Sequence, residues 1–161
     1  MDLLAELGRV SRHPREDESP DCSAWRTWDE VFDEGHGVTQ IGLQRTLCFG
    51  ECPVYTVIFH ASGRVEYHGR MYVPRLGTHT GVVSLYDFRC LAQFISGTRF
   101  WEMESYYDFR NCVVSDCAAA CVLVATESRR KLVSNYGDAG PPELWAIAGL
   151  IDLLVASVVW E

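Results

Sequence analysis

Thr46-Leu47-Cys48-Phe49-Gly50-Glu51-Cys52-Pro53-Val54-Tyr55 packs two cysteines, a glycine and a proline between two apolar runs. Glycine and proline punctuate regular structure, so this stretch reads as a sharp bend. On its N-terminal side, Ile41 and Leu43 alternate with Gln40, Gly42 and Gln44, the period of a strand. On its C-terminal side, Val54-Tyr55-Thr56-Val57-Ile58-Phe59 is β-branched or aromatic throughout and reads as a central strand. The bend therefore joins two strands and sets the register of the first hairpin.

Strands continue outward from it. Ala61-Ser62-Gly63-Arg64 is a hairpin turn. Val65, Tyr67, Gly69 and Met71 alternate with Glu66, His68, Arg70 and Tyr72 as a half-buried strand that Pro74 ends. Thr78 to Val83 follows as a fourth strand. Ser84, with Asp87 three residues on, caps a helix whose stripe is Leu85, Phe88, Leu91, Ala92 and Ile95, and Gly97 stops it. Cys117 to Thr126 and Leu132 to Tyr136 are two more strands around a turn at Glu127–Arg130. Pro141 or Pro142 opens a last helix, where a missing N–H is harmless. Its stripe is Leu144, Ile147, Ala148, Ile151, Leu154, Val155 and Val158. The expected class is α+β: a six-stranded, mostly antiparallel sheet in the order ββββ-α-ββ-α, covered by helices.

Residues 1–38 read as a separate helical extension and linker, and 39–161 as one domain. Leu3, Leu4, Leu7 and Val10 have helical spacing, as do Trp25, Trp28, Val31 and Phe32, with a proline-containing polar linker between the two groups. Each amphipathic stretch suits either docking on the domain or binding a partner.

The chain has 161 residues, 22 acidic against 14 basic, and a net charge of −8. Its single lysine is Lys131. Nucleic-acid binding through a basic footprint is therefore not expected. No run reaches the ~18 apolar residues of a membrane span. No signal peptide is read at Met1–Leu7, so the expected location is cytoplasmic and the seven cysteines are expected mainly as thiols.

Several of these stretches together resemble a bacterial family of uncharacterised domains, domain of unknown function 6438. Arg45-Thr46-x-Cys48-Phe49-Gly50-x-Cys52-Pro53-x-Tyr55 carries the resemblance most specifically. Gly63-x-Val65-x-Tyr67-x-Gly69, His79-Thr80-Gly81 with Ser84, and Phe100-Trp101 add to it. So do Ser115-Asp116, Val133-x-Asn135-Tyr136-Gly137, Leu150-Ile151-Asp152 and Trp160. The resemblance spans about residues 39–161 and implies a fold without an activity. Family members often look exported or lipid-anchored, which implies a Cys48–Cys52 disulfide. This chain departs from them in its extra Cys90, Cys112, Cys117 and Cys121.

The candidate motif is Cys48, Phe49, Gly50, Cys52, Pro53 and Tyr55, with His79, Asp116, Asn135 and Tyr136 as further candidates. The two cysteines read as a staple, as two thiols fixing the bend, or as a redox pair. Redox pairs usually have two intervening residues at a helix N-terminus, whereas here strands flank the bend and Glu51 lies between the thiols. Zinc would need Cys117 and Cys121 as well, and on one strand these lie ~13 Å apart. A hydrolase built on Asp116 and His79 is conceivable, and His60 and His68 flank a hairpin where they could meet. No nucleophile elbow or phosphate loop is present, and no cofactor is expected. Phe100, Trp101, Tyr106, Tyr107 and Phe109 could line an aromatic groove. The expected function is a small, acidic, non-catalytic binding or interaction module. Its protein partner is expected at residues 1–34 or at the aromatic groove. The alternative is thiol redox or metal-dependent activity centred on Cys48 and Cys52.

Overall fold

The computed structural model describes residues 37–109 and 116–161. The expected N-terminal helices, the linker between them and Cys112 lie outside the described residues.

Four strands form a meander: β1 (Val38–Arg45), β2 (Val54–His60), β3 (Arg64–Met71) and β4 (Gly77–Val82). Helix α1 (Leu85–Gly97) follows, then a 3-10 turn (Phe100–Glu102) and β5 (Tyr106–Tyr107). The hairpin β6 (Ala119–Thr126) and β7 (Arg130–Tyr136) leads to α2 (Pro142–Ala156) and β8 (Val159–Trp160). The eight strands form one sheet in the order β5-β7-β6-β1-β2-β3-β4-β8. Only the β5–β7 pairing is parallel among the described strands.

The α+β class and the mostly antiparallel sheet match the sequence expectation, but the sheet has eight strands instead of six. The two extra strands have two residues each, too few to show an alternating period. β8 also follows a helix so apolar that Val158 had read as the helix's own stripe. Val158 is buried, yet α2 ends two residues earlier.

Strand alternation decides which face is covered. Ile41, Leu43, Val57, Phe59, Val65, Val122, Val124 and Val133 all point to one side and are fully buried. Phe88, Leu91, Ala92 and Ile95 of α1 close over them, with Leu144, Ile147, Ala148, Ile151 and Leu154 of α2. Ser84 caps α1 as expected, its hydroxyl accepting from the Tyr86 N–H at 3.2 Å. Helix α2 starts after β7, packs on β6 and β1, and ends where β8 joins β4, so it runs across the sheet. Gly81 admits that closing strand, because a Cβ there would lie 2.7 Å from the Val159 carbonyl oxygen.

Candidate functional site

One end of the sheet collects most of the candidate residues. β1, β3 and β7 finish there, while β2, β4 and β6 begin there. The loop between β1 and β2, residues 46–53, stands at this end and is held in three ways. The Thr46 N–H donates to the Ala119 carbonyl at 3.0 Å, and the Thr46 hydroxyl accepts from the Ala119 N–H at 2.8 Å. The Phe49 N–H donates to the Asp116 carbonyl at 2.9 Å. Cys48 and Cys52 are joined by a disulfide, with Cα atoms 5.8 Å apart.

This loop presents apolar side chains to solvent. Phe49 is 89% exposed and Leu47 57%. The β3–β4 loop lies beside it, since Val54 pairs with Met71 across an irregularity in the β2–β3 register. Met71, Tyr72 and Leu76 are exposed there too. Tyr72 has φ 53°, in the left-handed region that bulky residues rarely adopt. The chain turns back so closely that a Cβ on Gly69 would overlap the Arg75 carbonyl oxygen.

Beneath the loops, a row of polar and aromatic groups crosses the helix-covered face. Arg45 donates through Nε and Nη2 to the two carboxylate oxygens of Asp152 on α2, at 3.1 and 2.5 Å. The Tyr55 hydroxyl donates to the same carboxylate. Tyr55 stacks on Tyr67 with ring centres 5.4 Å apart, and Tyr67 meets Trp160 edge-on at 5.2 Å. His79 lies beside Tyr67 and Trp160, and its Nε2 donates to the Leu76 carbonyl at 2.7 Å. Arg75 lies over the Trp160 ring at 5.1 Å.

Burial pushes the Tyr55 phenol well above its ordinary value of 10, and the hydrogen bond to Asp152 adds to the shift. Burial opposes the charged form of Arg45, but the Asp152 carboxylate outweighs it and raises the guanidinium. The trio therefore sets a charged guanidinium and a neutral phenol on one carboxylate. Asp152 already accepts three hydrogen bonds, so it is built as an anchor between α2 and the sheet.

The candidates divide accordingly. Cys48, Phe49, Gly50, Cys52 and Pro53 form the loop, and Asp116 supports it through its backbone. Tyr55 and His79 belong to the row beneath. Asn135 is 1% exposed and accepts the Gly140 N–H at 2.7 Å, fixing the turn into α2. The Tyr136 hydroxyl accepts from the Cys117 N–H at 3.2 Å. Asn135 and Tyr136 thus brace the architecture.

Other pairings fail on topology. His79 is on β4, whereas Asp116 lies three residues before β6, a strand four positions away in the sheet, about 19 Å at the usual strand spacing. His60 meets Glu66 at 3.1 Å and His68 meets Thr78 at 3.0 Å, because the register sets Thr56, not His60, opposite His68. Of the aromatic cluster, Phe100 is fully buried, Arg129 covers Trp101 at 3.7 Å and the Tyr107 hydroxyl accepts the Glu104 N–H, while Tyr106 and Phe109 are exposed. Among the described residues, no three of His, Cys, Asp and Glu gather into a metal-holding group.

Arg45, Tyr67, Arg75, Asp152 and Trp160 were missed as site members. One signal was available, an aspartate near the end of an otherwise apolar helix, where a carboxylate is disfavoured without a cation.

Residues 39–155 match the family described as Domain of unknown function (DUF6438), and the chain belongs to it. No curated protein and no solved structure matches the chain. Among the described residues, no helix is long and apolar enough to cross a membrane.

Proposed function

We propose that the domain is a non-catalytic binding module whose recognition element is the disulfide-closed loop with the adjoining Met71–Leu76 loop. The observation that carries this reading is Phe49, 89% exposed at the tip of a loop pinned by a disulfide and by backbone hydrogen bonds. A single exposed apolar residue means little, but Leu47, Phe49, Met71, Tyr72 and Leu76 share one end of the sheet. Burying one such side chain in a partner contributes about 1.5–3 kcal/mol. A loop already fixed in shape loses little entropy on docking. The expected partner is a protein with an apolar pocket, and a basic rim suits a chain of net charge −8.

The test is an affinity capture from the source cell with wild type and Phe49→Ala side by side. The partner should be retained by the wild type and lost by the variant at unchanged melting temperature. If Phe49→Ala keeps every partner, the loop is not the recognition element.

A thiol-redox reading draws on the pairing of Cys48 with Cys52 in an accessible loop. It requires one of the reduced thiols to react faster than free cysteine at neutral pH; equal rates end it. The metal reading requires bound zinc in the purified protein. We further propose a condition on the cytoplasmic location. Exposed disulfides are reduced there, so the loop would work as a dithiol.

A further inference from the structure

We propose that Cys117 is the exchange partner of the Cys48–Cys52 disulfide: its thiol attacks Cys48 and moves the covalent link from within the loop to the chain just before β6. β1 and β6 pair antiparallel, with Gln44 opposite Cys121 and Arg45 opposite Ala120. Beyond the strand ends the two backbones keep that register. The Thr46 N–H reaches the Ala119 carbonyl at 3.0 Å, and the Phe49 N–H reaches the Asp116 carbonyl at 2.9 Å. Between these two bonds the register leaves Leu47 facing Ala118 and Cys48 facing Cys117. The second bond also makes the two cysteines direct neighbours. It runs from the peptide that follows Cys48 to the peptide that precedes Cys117. Residues that face each other in antiparallel backbones have Cα atoms about 4.5–5.5 Å apart, inside the ~4.4–6.8 Å that a disulfide spans.

The order of strands selects which sulfur is attacked. β1 lies between β6 and β2. Cys48 follows β1 and so sits next to Cys117, while Cys52, just before β2, lies on the far side. Attacking, central and leaving sulfur thus follow one another across the end of the sheet, the arrangement for displacement at a disulfide sulfur. Cys117 is a free, half-buried thiol. Its Sγ leans toward Gly137, where a Cβ would come within 3.3 Å of it, so the attack takes a turn about the Cys117 Cα–Cβ bond. The other free cysteines among the described residues are placed elsewhere. Cys121 lies opposite Gln44, about 13 Å further along the chain, and donates to the Ser134 hydroxyl at 3.4 Å. Cys90 is on α1, on the covered side of the sheet.

In the step, the Cys117 thiol loses its proton and its sulfur bonds to Cys48 Sγ. The Cys48–Cys52 bond breaks, and Cys52 leaves as a thiolate that takes up a proton. One disulfide and one thiol stand on each side of the reaction, so no oxidant or reductant is consumed. The ring that carries Phe49 opens at Cys52, which gives the loop two covalent states. The exchange does not depend on the binding role proposed above.

The experiment maps disulfides in the full chain by mass spectrometry without reduction. In one arm, Cys52→Ser is oxidised with glutathione disulfide. Cys48 should pair with Cys117, and that link should outnumber every other pairing of Cys48 about tenfold or more, because a held neighbour acts at high effective concentration. In the other arm, wild type is held at about pH 8, where thiolate forms, then quenched in acid and labelled with N-ethylmaleimide. A fraction should carry the label on Cys52 with Cys117 linked, and Cys117→Ser should lose that fraction. This second arm starts from the intact disulfide and so does not require Cys52→Ser to fold. Cys48 that stays capped by glutathione, or pairs instead with Cys90, Cys112 or Cys121, overturns the proposal. So does a wild type in which Cys52 is never labelled, or a Cys52 label that survives Cys117→Ser.

Discussion

A carboxylate near the C-terminus of a helix faces the negative end of the helix dipole, so Asp152 is unfavourable by itself. Arg45 and Tyr55 reverse that balance by donating three hydrogen bonds to it. The Arg45 and Asp152 side chains keep about a quarter and a third of their surface in solvent, so screening weakens the pair. Asp152→Asn should therefore destabilise by about 1–2 kcal/mol in denaturant melts, below the 3–5 of a fully buried pair. A change within error would mean that the trio does not tie α2 to the sheet. Tyr55 adds a pH signature. In the folded chain its phenol holds the proton well above 10, whereas in the unfolded chain it releases it near 10. From about pH 10 upward the unfolded state binds fewer protons, so the Tyr55 contribution to stability falls as pH rises. Below that pH it is constant. The stability gap between wild type and Tyr55→Phe should be flat up to about pH 10 and shrink above it. A gap that widens above about pH 10 would mean that the folded chain gives up the Tyr55 proton before the unfolded one. Residues such as these were legible only as matches to the family pattern. Their roles depend on contacts 97 and 107 residues apart in sequence, which no local period encodes.

At the scale of the element, the cysteine bend was read correctly as the turn of the first hairpin, because glycine and proline act locally. Its disulfide came only from the family resemblance, since spacing alone left staple, free thiols and redox pair all open. Closing so short a loop constrains the unfolded chain by about 2 kcal/mol. Replacing both cysteines by serine should thus lower stability by up to that amount under oxidising conditions. Under reducing conditions the replacement should cost much less. An equal loss in both would mean that the thiols stabilise the bend by packing, without the covalent link. The second element is β8. It follows the last residue of the family match, yet it brings Trp160 onto Tyr67 and under Arg75. Trp160→Ala removes that half-buried packing and should destabilise by about 2–3 kcal/mol, less than the 3–5 of a fully buried tryptophan. Tyr106–Tyr107 and Val159–Trp160 escaped the sequence reading for the same reason: a strand of two residues is defined by its neighbours.

Across the whole molecule, the sequence carried the order of the six longer strands and the two helices, without the short β5 and β8, but not the order of strands in space. Alternation tells which side of a strand is buried, while the choice of neighbour depends on where each crossover lands. Here the β6–β7 hairpin returns to pair with β1, so the first strand in sequence is central in the sheet. Stability should follow that spatial order. β1, β2 and β6 are paired on both sides, and Ile41, Val57, Phe59, Val122 and Val124 on them are fully buried. β5 and β8 are edge strands of two residues, each paired on one side. Local opening should therefore be easy at the edges and approach global unfolding at the centre. Native-state hydrogen exchange should find the slowest amides in β1, β2 and β6, and exchange in β5 and β8 faster by orders of magnitude. The first four strands make the sharpest comparison. Sequence order would make β4 the equal of β1, since both end the meander. Spatial order makes β1 the slower, because β6 covers its free side along its whole length, while β8 covers only Gly81 and Val82 of β4. Equal protection in β1 and β4 would mean that the β6–β7 hairpin docks too weakly to join the cooperative core.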